Sequence, residues 1–514
     1  MSGMFTNPGG DFINLFQCPI GVNRDMTPLS ANCYLDVQWF RFDNGHPRTI
    51  GGYEKVISGT NDIVRGMATV SIDDFVRVFL FRNSGIFQVD FLSNGSITGE
   101  INVTPSEWIA PTEIQPDLVF SCDLMTITAD EDDEVVSESI LFVVGMMNSK
   151  DPTQTIEAPI FYRNVNQTSV FLPLNQSTAG GVIVDLPFLI KYGNYGVFYR
   201  SAAGNPLDWT ENNYTASSNE KIIAAQTFQN GFISWTTSKL NKNIYDPSTE
   251  TYTSVELVPK ISLLSPSSIV SVENNTFYWV GQEEFYLYNG IVDIVINKKN
   301  RNTFFEKLNK NWKGKIWAIY MPAFKEIWFY SVEGDSRECN HVYIYRIKDN
   351  EWSDSVSNRS CGLVYPPLNY PLLADSAVTP YSGSENYPIW EHEKGFNVSY
   401  DGINYPIPSR IQTKIYSAIE LAQSPIMQNL QIEVRKMEKD ILHTGDIDVE
   451  ILTFEYPNSE PIIYGGFKFT ADTTQLPMQI SASYISFRFS MNTLEGFAQF
   501  GRNTVQYIMG TVRS

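Results

Sequence analysis

The chain is expected to be all-β, a β-propeller of six or seven degenerate blades with an additional β-sandwich-like platform domain. Three observations predict this. Aromatic residues make up 13% of the chain and charged residues only 18%, and a chain low in charge but rich in Tyr, Phe, Thr and Val favours strands. Apolar and polar residues alternate with a period of two in short runs, closed by Gly or Asn turns. These runs recur in groups between about residues 60 and 395. At ~40–50 residues per four-stranded unit, that stretch holds six or seven blades.

Three segments follow from the pattern: residues 1–60, a propeller over 61–400 and a C-terminal β domain over 401–514. The first opens rich in Gly, Pro and Asn, then carries Trp39-Phe40-Arg41-Phe42 into an Asn44-Gly45 turn, a hairpin signal. It is expected either to pack with the C-terminal platform or to close the propeller. Within the propeller, 75–81 and 86–91 read as a hairpin, as do 276–280 and 285–288. Residues 317–321, 327–332 and 341–347 read as a three-stranded meander, and comparable units lie at 139–161, 196–209 and 228–245. The Pro- and Tyr-rich run 364–371 reads as an extended connector or an inserted loop. Pro406 and Pro408 mark the second boundary; beyond it 431–436, 448–454, 466–469 and 484–490 alternate like strands of a small sandwich. Helix is scarce. The best candidate is 302–308, with Asn302 as cap and Glu306 in the first turn.

Charge narrows the function. Lys and Arg number 37 against 57 Asp and Glu, a formal charge of −20. That balance excludes a protein living by phosphate contacts, which needs clustered cations to displace counterions. The opening residues carry no basic or apolar run of a signal peptide, and no apolar run approaches the ~20 residues of a membrane helix, so folding in the cytosol without membrane insertion is expected. Cys18, Cys33, Cys122, Cys339 and Cys361 form no CxxC pair and read as reduced, buried thiols.

Enzyme signals are missing. There is no nucleophile elbow, phosphate-binding loop, H-E-x-x-H or dinucleotide fingerprint. His46, His341, His392 and His443 have no second His or Cys at ligand spacing. The acidic run Asp130-Glu131-Asp132-Asp133-Glu134 lacks the alternation and turn glycine of a calcium loop and reads as a solvated loop between strands. Ser399-Tyr400-Asp401-Gly402 is one broken copy of a sialidase box. Tyr192, Tyr195, Tyr199, Trp209 and Tyr214 lie close together; inter-blade core is the expected use rather than sugar stacking. No catalytic, cofactor or metal residue is assigned.

Four segments in order carry a likeness. Trp39 to Pro47 runs on into Arg48-Thr-Ile-Gly51-Gly52-Tyr53, and Tyr199-Arg200 leads to Gly204-Asn205-Pro206 before Asp208-Trp209. Phe277-Tyr278-Trp279-Val280-Gly281 leads to Tyr288-Asn289-Gly290, and Trp328-Phe329-Tyr330 precedes Tyr343-Ile344-Tyr345 and Trp352-Ser353. In these the chain resembles the tail nozzle proteins of short-tailed bacteriophages, also called tail hub or packaged-DNA stabilisation proteins. The resemblance implies a homohexameric ring in the virion tail, assembled in the host cytoplasm and docked on the portal and adaptor rings. It also implies tail fibre or tailspike neighbours and a lumen through which genomic DNA passes without tight binding. It implies no catalytic residues. An acidic conduit cannot hold phosphates through counterion release, so retention of DNA would be steric. The loops of Asp130, Glu131, Asp132, Asp133 and Glu134 and of Tyr365 and Tyr370 are the candidate gate or interface elements. The alternative is a receptor- or glycan-binding propeller, a tail adhesin.

Overall fold

The computed structural model describes residues 11–14, 21–29, 33–111, 117–131, 134–147, 156–211, 213–259, 261–295, 297, 299–381, 386–417, 425–435, 437–438, 441–442, 445–456, 458–470, 472–473 and 475–509. Six successive antiparallel sheets of four strands follow one another along the chain. Their innermost strands are Val64–Ile72, Leu118–Glu131, Gly181–Asp185, Ala224–Thr227, Val270–Val272 and Trp317–Met321, and each sheet runs outward in sequence order. A seventh sheet begins with Arg359–Leu363, Leu372–Asp375 and Ile389–His392. Its fourth strand is Tyr53–Ile57, from the other end of the chain, with Ile389 opposite Ile57 and His392 opposite Tyr53.

Apolar clusters between neighbouring sheets fix the arrangement as a closed seven-bladed propeller. Phe79 and Phe81 of the first blade meet Phe161 of the second. Phe142 of the second meets Leu189 of the third, and Phe198 of the third meets Phe232 of the fourth. Trp235 and Trp279 pack edge to face across blades four and five at 5.6 Å, a geometry that aromatic quadrupoles favour. Phe285 meets Phe329 and Trp352 between five and six, and Trp328 meets Leu373 between six and seven. Leu372 and Ile389 meet Val78 and Leu80 of the first blade, which completes the circle. Radial closure leaves only outer blade edges unpaired.

The expected hairpins are present: Phe75–Arg82 pairs with Gly85–Leu92, and Thr276–Val280 with Phe285–Tyr288. The run 364–371 is an inserted loop between the first two strands of blade seven, not a connector between domains. The helix is Arg301–Lys307, and Asn302 does not cap it. Its free amides at Asn302 and Thr303 instead donate to the Asp25 carboxylate, each at 2.9 Å. A carboxylate supplied from the N-terminal segment suits the positive end of a helix better than a residue already inside the first turn.

Asn397–Tyr400 and Ile403–Pro406 extend the seventh sheet beyond Tyr53–Ile57, Met437–Glu438 and Ile441–Leu442 form a small hairpin, and the other strands build a two-sheet sandwich. One sheet runs Phe40–Asp43, His46–Thr49, Gln499–Met509, Pro425–Arg435 and Leu476–Ser481, with Asp11–Asn14 also on 499–509. The other runs Asp36–Gln38, Ser409–Gln412, Tyr484–Met491, Ile447–Phe454 and Ile462–Phe469. Phe42, Leu430, Phe487, Phe489 and Phe500 are buried between them. Asn44 and Gly45 both take positive φ, 48° and 86°, as a two-residue type I′ hairpin requires. The first 57 residues therefore contribute to both units.

The sandwich is fastened to the rim of blades six and seven. Strands Asp36–Gln38 and Phe40–Asp43 lie against Glu351–Val356, the outermost strand of blade six. Between them Trp39 sits at φ 59°, a strained conformation for a bulky residue. It persists because the site is over-determined. The Trp39 amide donates to Ser355 Oγ at 3.0 Å, its indole donates to the Gly51 carbonyl at 3.2 Å, and its ring packs on Tyr53. Arg24 bonds both Asp354 carboxylate oxygens, at 3.2 and 3.1 Å, and pairs with Asp36 at 2.9 Å.

Candidate functional site

The sequence places its candidate gate or interface elements on two loops, and the mouths of the propeller are built from the ends of its inner strands. Arg65 opens the inner strand of blade one, Asp117 precedes that of blade two and Lys315 precedes that of blade six. Glu338 lies between the second and third strands of blade six. These four converge. Arg65 bonds both Glu338 oxygens, at 2.6 and 2.9 Å, and reaches Asp117 at 3.2 Å. Lys315 pairs with both Asp117 and Glu338, and Asn83 donates to Asp117 at 2.8 Å. The two cations hold the Asp117 carboxyl below its usual range against the opposing cost of its burial.

Behind this network lies a cavity of about 180 Å³, lined by the starts of the inner strands of blades one, two, six and seven. At ~30 Å³ per water that space holds about six water molecules.

Both predicted loops fall at the opposite ends of inner strands, but only 364–371 is a loop; Asp130, Glu131 and Glu134 are in paired strands at the tip of a long hairpin rather than in a loop between strands. Leu118–Glu131 and Glu134–Met147 form a hairpin of fourteen-residue strands, with Glu131 opposite Glu134. The third strand of blade two covers this ribbon only over residues 140–144, so the arm carrying Asp130, Glu131 and Glu134 runs on without a third strand. At ~3.4 Å per residue, the six residues from 125 to 131 carry it about 20 Å further. Asp132 and Asp133 lie outside the described residues. Tyr365 and Tyr370 belong to the inserted loop of blade seven, at the same mouth. Tyr365 packs against the cluster between blades seven and one, and Tyr370 carries the Lys394 ammonium 5.3 Å above its ring. The four-residue ion network at the other mouth escaped sequence reading because its members are separated by up to 273 positions.

Other polar clusters are accounted for by packing. His392 is fully buried in blade seven and accepts from Arg359 Nε at 2.9 Å. Arg359 also pairs with Asp375 and lies 4.8 Å from the Tyr53 ring. Burial drives the Asp375 carboxyl up to about 6, with Arg359 opposing. Because that value exceeds the unfolded one, the contribution is complete below about pH 4 and is lost as pH rises through about 6. Wild type is therefore expected to lose stability relative to Asp375→Asn between pH 4 and 6.5 in urea titrations; parallel curves would remove Asp375 as the cause. His341 Nε2–H donates to the Asp354 carboxylate, 3.0 Å away, and His443 lies outside the described residues. Among the described residues no group of three or more His, Cys, Asp or Glu is placed to hold a metal ion. Cys122 and Cys361 are free, and burial pushes both thiols up to about 12, which makes them poor nucleophiles. Cys18 lies outside the described residues.

The aromatic group on blade three divides. Tyr192 is core and the half-buried Trp209 packs against the apolar cluster between blades two and three, whereas Tyr195 and Tyr214 are 75% and 65% exposed; Tyr199, half-buried, and Trp209 also border a polar cavity.

No family model and no curated protein matches the chain. Among solved structures, it is similar to a fungal alcohol oxidase of the AA5 family in complex with copper, at 10% identity and TM-score 0.40, covering 90% of this chain and 100% of that one. It is similar to YCF48 bound to a D1 peptide, at 10% identity and TM-score 0.38, covering 67% and 99%. BamB from Moraxella catarrhalis gives 11% identity and TM-score 0.33, covering 70% and 95%. Likenesses of that size transfer no activity.

Proposed function

We propose that the protein is a structural subunit of the distal tail nozzle of a short-tailed bacteriophage. In this reading several copies surround a passage for packaged and ejected DNA, docked on the portal and adaptor rings. The observation that carries the reading is the joint at residues 39–53, the first segment of the family resemblance. Those residues tie platform to propeller, with Trp39, Arg41 and Tyr53 all engaged across the seam. In this reading the conduit lies between copies, and a formal charge of −20 per chain suits a wall that DNA must slide past.

Cyclic closure needs two different faces per subunit. One available face is the sandwich edge strand Ile462–Phe469, whose Ile462, Ile463 and Tyr464 are 64%, 50% and 41% exposed. An uncovered apolar edge pairs readily with another chain. Ile463→Lys is expected to keep the fold and leave the chain monomeric in analytical ultracentrifugation with the adaptor, where wild type forms rings; rings from both proteins would exclude this edge.

In the ring, the long hairpin of blade two and the loop 364–371 act as steric retainers. Replacing residues 126–139 with a two-glycine turn is expected to leave assembly intact and release DNA early from particles. Unchanged retention would take the hairpin out of the account. The alternative, a receptor- or glycan-binding propeller, is favoured by one feature, the half-exposed aromatic group on blade three.

A further inference from the structure

On blade three, Lys191 stands opposite Tyr199, and Tyr199 opposite Tyr214, across three neighbouring strands. Directly opposed residues share a sheet face, so the three side chains form a row. The Tyr199 and Tyr214 rings lie 6.0 Å apart. The loop between the second pair of strands lays Trp209 beside the row, so that Lys191 Nζ sits 5.1 Å from the Tyr199 ring centre and 5.6 Å from that of Trp209.

That loop is fixed by its own bonds. The Ala202 amide donates to the Asp208 carbonyl at 2.8 Å, and the Thr210 amide to Asp208 Oδ1 at 3.0 Å. The Trp209 indole donates to the Pro206 carbonyl at 2.9 Å, so its ring is held in place before any ligand arrives. Preorganisation of this kind lowers the ordering cost of binding.

Beside the rings is a cavity of about 250 Å³, with Gln176, Lys191, Glu211 and Asn213 in its lining. That equals about eight waters at ~30 Å³ each, the scale of one sugar ring. Lys191 donates to Gln176 Oε1 at 2.7 Å, and no carboxylate among the described residues lies within ion-pairing distance of it. An ammonium has three donors, so others remain for a ligand. Glu211, bonded to Asn213 Nδ2 at 3.0 Å, supplies an acceptor on the far side. Arg200 also borders the cavity, but its guanidinium lies over Phe188 on the opposite sheet face, 4.5 Å from the ring centre.

We propose that this pocket binds a neutral hexopyranose unit of a glycan. The C–H face of the sugar stacks on Trp209 and Tyr199, with Tyr214 at the rim 6.0 Å from Tyr199. Its hydroxyls donate to Glu211 and Gln176 and accept from Lys191 and Asn213. A buried apolar ligand would leave those polar groups unpaired, which is costly. An anionic ligand would meet Glu211 and the field of a chain with 57 acids and 37 bases. The proposal is independent of the ring and stands or falls separately from it.

The test is saturation-transfer NMR and calorimetry on the full chain with glucose, galactose, mannose and N-acetylglucosamine, free and as methyl glycosides, with glucuronate and AMP alongside. At least one neutral sugar is expected to bind. Tyr214→Ala, an exposed position, is expected to weaken it roughly fivefold or more and Trp209→Ala to abolish it, as for aromatic anchors elsewhere. Lys191→Met provides a third readout if Trp209→Ala does not fold. Absence of binding by all four sugars, equal affinity in wild type and Tyr214→Ala, or preference for glucuronate or AMP would each overturn the proposal.

Discussion

Replacing Arg41 with alanine is expected to remove about 3–5 kcal/mol of folding stability, because it strands buried carboxylates. The guanidinium is almost wholly buried. It pairs with Glu326 at 3.1 Å, bonds Glu393 through both terminal nitrogens, one at 3.0 Å, and lies 3.5 Å from the Phe324 ring centre. Glu326 is 1% exposed, and burial already raises its carboxyl above the usual range, with Arg41 the first influence opposing that rise. Without Arg41, Glu326 keeps the Trp328 indole, 3.0 Å away, and the weaker influence of the Arg346 charge. Arg41→Met with Glu326→Gln is expected to cost less than Arg41→Ala alone, since no unpaired charge remains beside Trp328. Urea unfolding of the three proteins measures both expectations; an Arg41→Ala cost below about 1 kcal/mol would place the pair among weak surface bridges.

A chain beginning at residue 58 is expected not to fold cooperatively at all. It lacks Tyr53–Ile57, which completes blade seven, and the three strands between Asp36 and Thr49 that complete both platform sheets. It also lacks Asp25 at the helix terminus and Arg24 at Asp354. The exposed edge of Ile389–His392 would then be free to pair with other chains. Soluble expression followed by urea titration is the check. A single sharp transition near that of the full chain would show that the ring closes without its N-terminal strand.

Much of the ring was legible because its signals are local. Thr276–Val280 and Phe285–Tyr288 alternate cleanly and flank a polar turn, so their pairing needs no distant information. The closing strand was not legible in the same way. The partner of Tyr53–Ile57 lies more than three hundred residues away, and alternation says nothing about partners. In the platform, Gln499–Met509 escaped because Gly501-Arg502-Asn503-Thr504 interrupts its apolar pattern. It is nevertheless central, pairing with Pro425–Arg435 along most of its length. The site was harder still. Arg65, Asp117, Lys315 and Glu338 belong to three sheets and meet only once the ring is closed. Assigning the tyrosines near Trp209 to the core held for Tyr192 alone, because strand alternation does not say whether the neighbouring blade covers a given face.

The most direct measurement is electron microscopy of the purified protein, alone and mixed with a portal–adaptor complex. Sixfold density at the distal end of the complex is expected, with seven-bladed propellers arranged around a central passage between copies. Monomers that never join the complex, or a DNA path running through the axis of a single propeller, would contradict it.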